Sequence, residues 1–370
     1  MPFESGNISY RAYTLDTPLT TSVVDDFAKN AAPPIETLTT QPISGWVSPR
    51  FILDREITLD TCVSGGYVRA SLMKAELKIP PSLLKAYCRM EELAEMQARG
   101  VPYLNRQTKA EIKKRITDDM LPKMPPTLTS ISIVLDTAQS RVYADAISET
   151  QQDAFCVNFN KTTHVAPIAL TPEVAAMRLK QVDFRDFSPQ CFSPDPEVNV
   201  TANNLGMDFL TWLWFFWETT DGTFRIADSV DAPPFALMME GPAVFFLEGE
   251  GAHETSLRKG MPMISREAKT VLEAGKKLRK VKLTLARGQE IYSASIDGLD
   301  FSFRGLKLPK PESPYEPETA FQERMAGVKT YTEAFFHLYG LFLDTLKDPK
   351  QWAKTLAAMK AWISNRKTVV

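Results

Sequence analysis

The densest group of chemically active side chains lies between Arg266 and Arg287, a segment with eight basic and two acidic residues. Ammonium and guanidinium groups at this density suit a polyanion such as a nucleic-acid backbone. Runs of like charge also occur on ordinary solvated surfaces, where they keep a protein soluble. A solvated basic face and a nucleic-acid contact surface are therefore both open interpretations of this segment.

The elements that must position these charges are a short helix and a strand. Residues Ser265 to Ala274 are typical of a helix, Gly275 of a left-handed cap, and Lys276 and Lys277 follow where a helix C-terminus favours cations. The strand that follows alternates with period two, which predicts a buried face and an open cationic face. The buried face carries Val281, Leu283 and Leu285, and the open face carries Lys280, Lys282 and Thr284.

A second basic segment runs from Lys74 to Lys123, with eleven basic and seven acidic residues. Pro80 and Pro81 open a helix from Ser82 to about Ala98. Its apolar stripe is Leu83, Tyr87, Met90 and Ala94, and its basic flank is Lys85 and Arg89. Thr108 and Glu111 match a capping box for a second helix, which carries Lys113 and Lys114 and stops at Leu121 and Pro122.

Composition excludes several classes of protein. The chain has 370 residues, 44% hydrophobic and 24% charged, and its net charge of −2 is unlike that of a histone-like binder. Its four cysteines lack paired spacing and its N-terminus lacks an apolar run, so we expect a reducing cytoplasm and no secretion. The apolar stretch Phe209–Trp217 is nine residues long, which predicts a buried helix instead of a membrane span.

The pattern of elements predicts an α+β fold of mixed sheets with long helices, in several subdomains. Strands are expected near Phe235 to Met239 and Ala243 to Leu247, and two long helices near the end. The seams of these helices are expected to close the core, with a subunit interface as the alternative. The predicted parts are an N-terminal α/β half with basic helices (1–186), a linker rich in Pro and Asn (187–205), a second α/β half with the basic helix–strand unit (206–313) and C-terminal long helices (314–370).

Catalytic motifs are mostly absent from the sequence: it has no phosphate-binding glycine loop, no HExxH motif and no CxxC pair. One alternative is a metal-dependent nuclease, in which Asp60 and Glu76 pair with Lys78 to position an activated water. The acid-x-lysine triplet recurs elsewhere in the chain, which favours a chance occurrence. We therefore predict no catalytic residue, no metal ligand and no cofactor.

An ordered set of short motifs spans nearly the whole chain. The set is ISYRAY with Tyr10 and Arg11, Gly45-Trp46-Val47, Lys78-Ile79-Pro80, Met120-Leu121-Pro122, Ile133 to Asp136, Val142 to Ala146 with Ser148, Leu170-Thr171-Pro172, Phe209-Leu210-Thr211-Trp212, Glu267 with Ala274-Gly275-Lys276-Lys277, and Leu306-Lys307-Leu308. In order and spacing it resembles the recombination-associated protein RdgC family, from about residue 7 to residue 346.

This resemblance implies a non-enzymatic bacterial DNA-binding protein of the cytoplasm and nucleoid. It implies a homodimer closed into a ring whose positive hole takes double-stranded DNA with little sequence preference. Such a protein limits RecA recombinase loading and protects replication intermediates. Two departures stand out: Lys123 fits the family, whereas Met124-Pro125-Pro126 do not fit the dimer contact expected there, and Asp348–Val370 extend beyond the family's usual end.

The predicted DNA contacts are the basic residues of both segments. Affinity would come mainly from their contacts with phosphates, so binding would fall steeply with salt. A further alternative is a protein-interaction scaffold that binds no nucleic acid and uses its Trp-rich and Phe-rich helices. The predicted contact residues are Lys276, Lys277, Arg279, Lys280 and Lys282 in one segment, and Lys85, Arg89, Lys113, Lys114 and Lys123 in the other.

Overall fold

The computed structural model describes residues 2–226, 233–247, 253–310 and 316–365, and this part of the chain mixes α-helices with antiparallel strands as predicted. The helices are α1 (Val23–Lys29), α2 (Leu59–Cys62), α3 (Pro81–Arg99), α4 (Arg106–Met120), α5 (Glu149–Thr163), α6 (Pro172–Lys180), α7 (Leu205–Thr219), α8 (Arg266–Glu273), α9 (Pro317–Lys347) and α10 (Pro349–Ser364). The strands are β1 (Ile8–Thr14), β2 (Ile43–Val47), β3 (Val63–Ser64), β4 (Tyr67–Leu77), β5 (Pro126–Asp136), β6 (Arg141–Ala144), β7 (Ile168–Ala169), β8 (Thr223–Phe224), β9 (Phe235–Phe246), β10 (Glu254–Leu257), β11 (Lys277–Arg287), β12 (Glu290–Asp297) and β13 (Ser302–Lys307).

The chain divides into two compact units that interleave along the sequence. The larger unit comprises Met1–Pro18, Val134–Gln152 and Ala166–Val370, and the smaller comprises Leu19–Ile133 and Asp153–Val165. These units do not coincide with the four consecutive parts expected from the sequence, which stay a prediction. The expected boundary at 313–314 lies outside the described residues.

The larger unit is built on an antiparallel sheet with the strand order β10-β9-β11-β12-β13-β1-β6. β1 pairs with β13 through its first half and with β6 through its second half. Aromatic side chains fill the space between this sheet and α9: Tyr10 stacks on Phe303 with ring centroids 4.8 Å apart, and Phe303 meets Phe335 at 5.1 Å. The Tyr10 hydroxyl forms a 2.7 Å hydrogen bond with the Thr332 hydroxyl, so the polar atoms of this core are also paired.

The two long helices behave as their sequence period predicts. The predicted seam of α9 is fully buried, so it closes the core of the larger unit. Its eight positions are Phe321, Met325, Val328, Thr332, Phe335, Tyr339, Phe342 and Leu346. The predicted apolar helix is α7, whose Asn204 accepts a capping hydrogen bond from the Met207 amide. None of the helices in the described ranges combines the length and apolar character that a bilayer span requires.

The C-terminal helix α10 packs against α7, α8 and α9. The Trp362 indole lies edge-on to Trp214 with ring centroids 5.1 Å apart, and the Lys269 ammonium lies 4.6 Å from its ring centroid. Both indole N–H groups donate to the Glu218 carboxylate, at 2.8 Å from Trp214 and 2.7 Å from Trp362. Helix α10 is therefore an integral layer of the larger unit.

In the smaller unit, β4 pairs with β2 and β3, and Trp46 packs against Phe27 at 4.4 Å. Helices α3 and α4 form a hairpin that packs through Leu104, Ile112 and Ile116. The predicted apolar stripe of α3 does not face this contact. Its inner positions are Leu84, Cys88 and Met96, whereas Leu83 is half-buried and Tyr87, Met90 and Ala94 are exposed, because α4 covers a face about one residue farther along the helix.

Two local expectations, for β9 and for the start of α4, are corrected. β9 is one strand where two were expected, because its pairing with β11 continues past Gly241 and Pro242 through register shifts. α4 begins earlier than predicted, because the Asn105 side chain accepts the cap hydrogen bond from the Thr108 amide. The segment predicted as a linker is packed, since Phe192 is buried and the Ser193 hydroxyl donates to the carbonyl of Glu273.

Candidate nucleic-acid interface

The central strand of the candidate site is β11, which lies between β9 and β12 in the larger unit. Val281, Leu283 and Leu285 are buried, whereas Lys282 and Thr284 are partly exposed, which confirms the period-two prediction. Lys280 precedes them on the outward side of the strand and is also partly exposed. We call the surface formed by these outward residues and their cross-strand neighbours the open face of the sheet.

Cross-strand register brings residues of four strands together on this face. Neighbouring strands in a sheet lie about 4.8 Å apart, so residues opposite one another form continuous rows. Two rows carry cations, hydroxyls, one carboxylate and one methionine. In order from β9 through β11 and β12 to β13, they are Met238, Thr284, Ser293 and Lys307 in the first row, and Glu240, Lys282, Ser295 and Arg304 in the second.

Carboxylates hold two of the predicted contact lysines in place on the open face. Lys282 Nζ lies 2.8 Å from Glu240 Oε2, and Lys280 Nζ lies 3.2 Å from Asp297 Oδ2. The hydrogen bond from Lys282, with a second one from the Thr284 hydroxyl, keeps the pKa of Glu240 below its usual value despite partial burial. The nearby charge of Lys307 acts in the same direction. The face thus presents ordered cations in a partly neutralised setting.

The other three predicted residues of this segment are less accessible. Arg279 contacts Asp297 at 3.3 Å and Glu254 at 3.5 Å. Lys276 is buried, and its ammonium group donates to the Thr255 hydroxyl at 2.5 Å. These contacts limit both side chains as phosphate ligands.

Lys277 occupies an interior position that the sequence reasoning did not anticipate. Its ammonium group lies 2.6 Å from Asp208 Oδ1, and the two side chains are 2% and 0% exposed. A lysine this deeply buried is retained only with a charged partner, which here is supplied by α7. The position fits a structural ion pair and not a phosphate contact.

Four of the predicted contact residues of the second segment lie on the α3–α4 hairpin of the smaller unit, and the fifth, Lys123, lies in the turn that follows α4. Lys85, Lys113 and Lys114 are exposed, Arg89 lies 3.6 Å from Glu92, and Lys123 lies 3.5 Å from Asp119. These contacts are pairs between neighbouring turns at the surface, which constrain the side chains weakly. The hairpin therefore carries exposed surface charge without a cross-strand framework.

Two cations of the open face, Arg304 and Lys307, are absent from the sequence-based site. They are three residues apart, a spacing that would place them on opposite faces of a regular strand. Gly305 between them has φ of +63°, and a register shift in the β12–β13 pairing places Arg304 opposite Ser295 and Lys307 opposite Ser293. In the sequence, the glycine between these two basic residues was the one sign that the strand could bulge and turn both side chains to the same face.

The residues of the alternative nuclease site lie in the smaller unit. Glu76 contacts both Lys74 and Lys78, and hydrogen bonds from these two lysines lower its pKa. Asp60 lies on α2 and is exposed. Within the described residues, no group of three or more His, Cys, Asp or Glu side chains is arranged to hold a metal ion.

Comparison with protein families gives one match. The family model described as "Putative exonuclease, RdgC" matches residues 9–179, which cover the smaller unit and the first strands of the larger one. No curated protein matches the chain. The open face lies beyond the matched residues, so its assignment rests on the geometry above. The match agrees with the ordered motifs found in the sequence, so over residues 9–179 the chain is similar to the RdgC family.

Proposed function

We propose that this protein is a recombination-associated DNA-binding protein that holds double-stranded DNA through its phosphates, with little preference for sequence. The observation that carries the proposal is the open face, where cations and hydroxyls of β11, β12 and β13 lie in register across the sheet. Such groups are ligands of phosphate oxygens, which position a protein on a duplex without reading its bases.

The finer parts of the proposal rest on the similarity to the RdgC family. The protein acts as a homodimer closed into a ring around DNA, without catalysis and without a cofactor, in the cytoplasm and nucleoid. It modulates recombination and replication by limiting the access of RecA to DNA. Gathering positive charge on one face would let a chain with net charge −2 bind a polyanion.

The test is fluorescence anisotropy of the full chain with two unrelated duplexes across a salt series, without added metal. Equal affinity for both duplexes and a steep loss of affinity with salt are expected, because binding releases counterions from the phosphates. Lys280→Glu with Lys282→Glu should weaken binding to both duplexes alike. Absence of binding by the native chain at low salt would contradict the proposal and favour the interaction scaffold.

A second candidate function is an exonuclease, favoured by the description of the matching family. It is tested by incubating end-labelled duplex with the full chain and Mg²⁺ or Mn²⁺, beside a matched reaction in EDTA. Shortening of the strand with metal, lost on Glu76→Gln, would establish the nuclease. Intact DNA in both reactions supports action by occupancy alone.

A further inference from the structure

Glu240 is placed where a phosphate would be expected on the open face. Its Oε2 atom accepts from Lys282 Nζ and from the Thr284 hydroxyl, each at 2.8 Å. The two donors come from alternate residues of β11 and converge on one oxygen atom of a side chain from the neighbouring strand. An ammonium and a hydroxyl that converge on one anionic oxygen form a small anion site.

The surroundings of this site extend its positive character. Lys307 and Arg304 of β13 lie in the same two rows, are exposed, and make no ion pair within the described part of the chain. Glu240 itself is 40% exposed, so solvent and a ligand can reach its carboxylate. An exposed pair of this kind contributes at most about 1 kcal/mol to stability, so a competing anion can displace it.

We propose that Lys282 and Thr284 form a subsite for one backbone phosphate of DNA, and that Glu240 occupies this subsite in the free protein as an internal competitor. The inference rests on the proposed function and adds the residue that limits its affinity. Phosphate entry turns the Glu240 carboxylate outward and replaces one anion with another on the same two donors. Net affinity is lower than the cations alone would give, which allows DNA to be released.

The experiment compares Glu240→Gln with the native chain in anisotropy titrations on a 30-base-pair duplex across a salt series. The amide removes the competing charge and leaves the side chain nearly the same size. Gain of one effective phosphate contact is expected to tighten binding about five- to tenfold near 0.1 M salt and to steepen the log–log salt slope by about one. Thermal melts of both proteins check that folding is unchanged.

Glu290→Gln is the matched control, because Glu290 is a partly exposed carboxylate of the same sheet that pairs with Arg287 at 3.1 Å. It changes the net charge by the same amount at the other end of β11, so we expect less than a twofold effect. The double variant Glu240→Gln with Lys282→Gln should lose the gain, since the effect requires the freed ammonium group.

The outcomes separate the inference from the proposed function. If the native chain binds DNA but Glu240→Gln binds no more tightly than Glu290→Gln, the inference alone is overturned. Binding by Glu240→Gln with none by the native chain supports the competitor and limits the proposed function. If neither the native chain nor Glu240→Gln binds DNA at low salt, the inference and the proposed function are both overturned.

Discussion

The two basic segments of this chain look alike in the sequence, but they carry their charge in different ways. On the open face, Lys280 and Lys282 of β11 are fixed by cross-strand carboxylates, Asp297 of β12 and Glu240 of β9. On the α3–α4 hairpin, Lys85, Lys113 and Lys114 extend into solvent. The difference shows that charge density alone does not define a binding surface; the elements decide whether cations are arranged before a ligand arrives.

Within the first segment, the lysines also differ in how deeply they are buried. Lys277 begins β11 and is buried against Asp208, whereas Lys282 on the same strand is partly exposed. Two lysines of one strand are therefore placed differently: Lys277 joins α7 to the sheet, and Lys282 is partly exposed on the proposed DNA-binding face. The following experiments test both contrasts, from the largest expected effect to the smallest.

Lys277→Ala should have the largest effect, because it leaves the Asp208 carboxylate charged in a dry interior. We expect the free energy of unfolding to fall by about 3–5 kcal/mol, measured by urea denaturation. The double variant Lys277→Met with Asp208→Leu should recover much of this loss, since it removes both charges. Lys282→Ala, at an exposed pair, should cost no more than about 1 kcal/mol. Similar losses for the two lysines would abolish the contrast between them.

Arg304→Gln with Lys307→Gln should weaken duplex binding about 50-fold near 0.1 M salt and reduce the salt slope by about two, because two phosphate contacts are lost. Both side chains are exposed, so the fold should tolerate the change. The measurement is anisotropy with two unrelated duplexes, and the loss should be equal for both. An unchanged affinity would remove β13 from the interface.

Lys113→Gln with Lys114→Gln removes the same amount of charge from the hairpin and is the direct counterpart of the preceding variant. We expect less than a tenfold loss of affinity, since surface charges that make no fixed phosphate contact are largely screened by salt. The same titrations measure it. A loss larger than that of the β13 variant would make the hairpin the principal DNA contact and reverse the comparison.

Arg115→Gln should have the smallest effect. Arg115 joins α4 to Glu91 of α3 at 2.6 Å, with the side chains 63% and 48% exposed. Surface pairs of this kind are screened by water, so the unfolding free energy should change by no more than about 1 kcal/mol. A loss comparable to that of Lys277→Ala would show that the hairpin depends on its surface charges.

The sequence predicted two features that depend on local period. The alternation of β11 and the seam of α9 were correct, because burial of one face leaves a pattern at period two or near 3.6. The cap of α4 was misplaced by three residues, since Asn105 and Thr108 are both good capping residues and only tertiary packing chooses between them.

Features that depend on partners distant in sequence were not predictable. Nothing near Lys277 indicates that Asp208, on another element, will neutralise it. The bulge at Gly305 turns Arg304 and Lys307 to one face, and a strict alternation would separate them. The sequence thus predicted the cations of β11 in the candidate site, whereas the cations of β13 were found only from the register of the sheet.

The attachment of α10 through Glu218 has a spectroscopic consequence. Trp214 and Trp362 share one carboxylate as hydrogen-bond acceptor and lie with their rings perpendicular at 5.1 Å. Undocking of α10 would expose the Trp362 indole to water and leave Trp214 without its aromatic neighbour. The near-ultraviolet circular dichroism would then change, while the far-ultraviolet signal would stay nearly constant. Native tryptophans therefore report, without any added label, whether this terminal helix is in place when DNA or another protein binds.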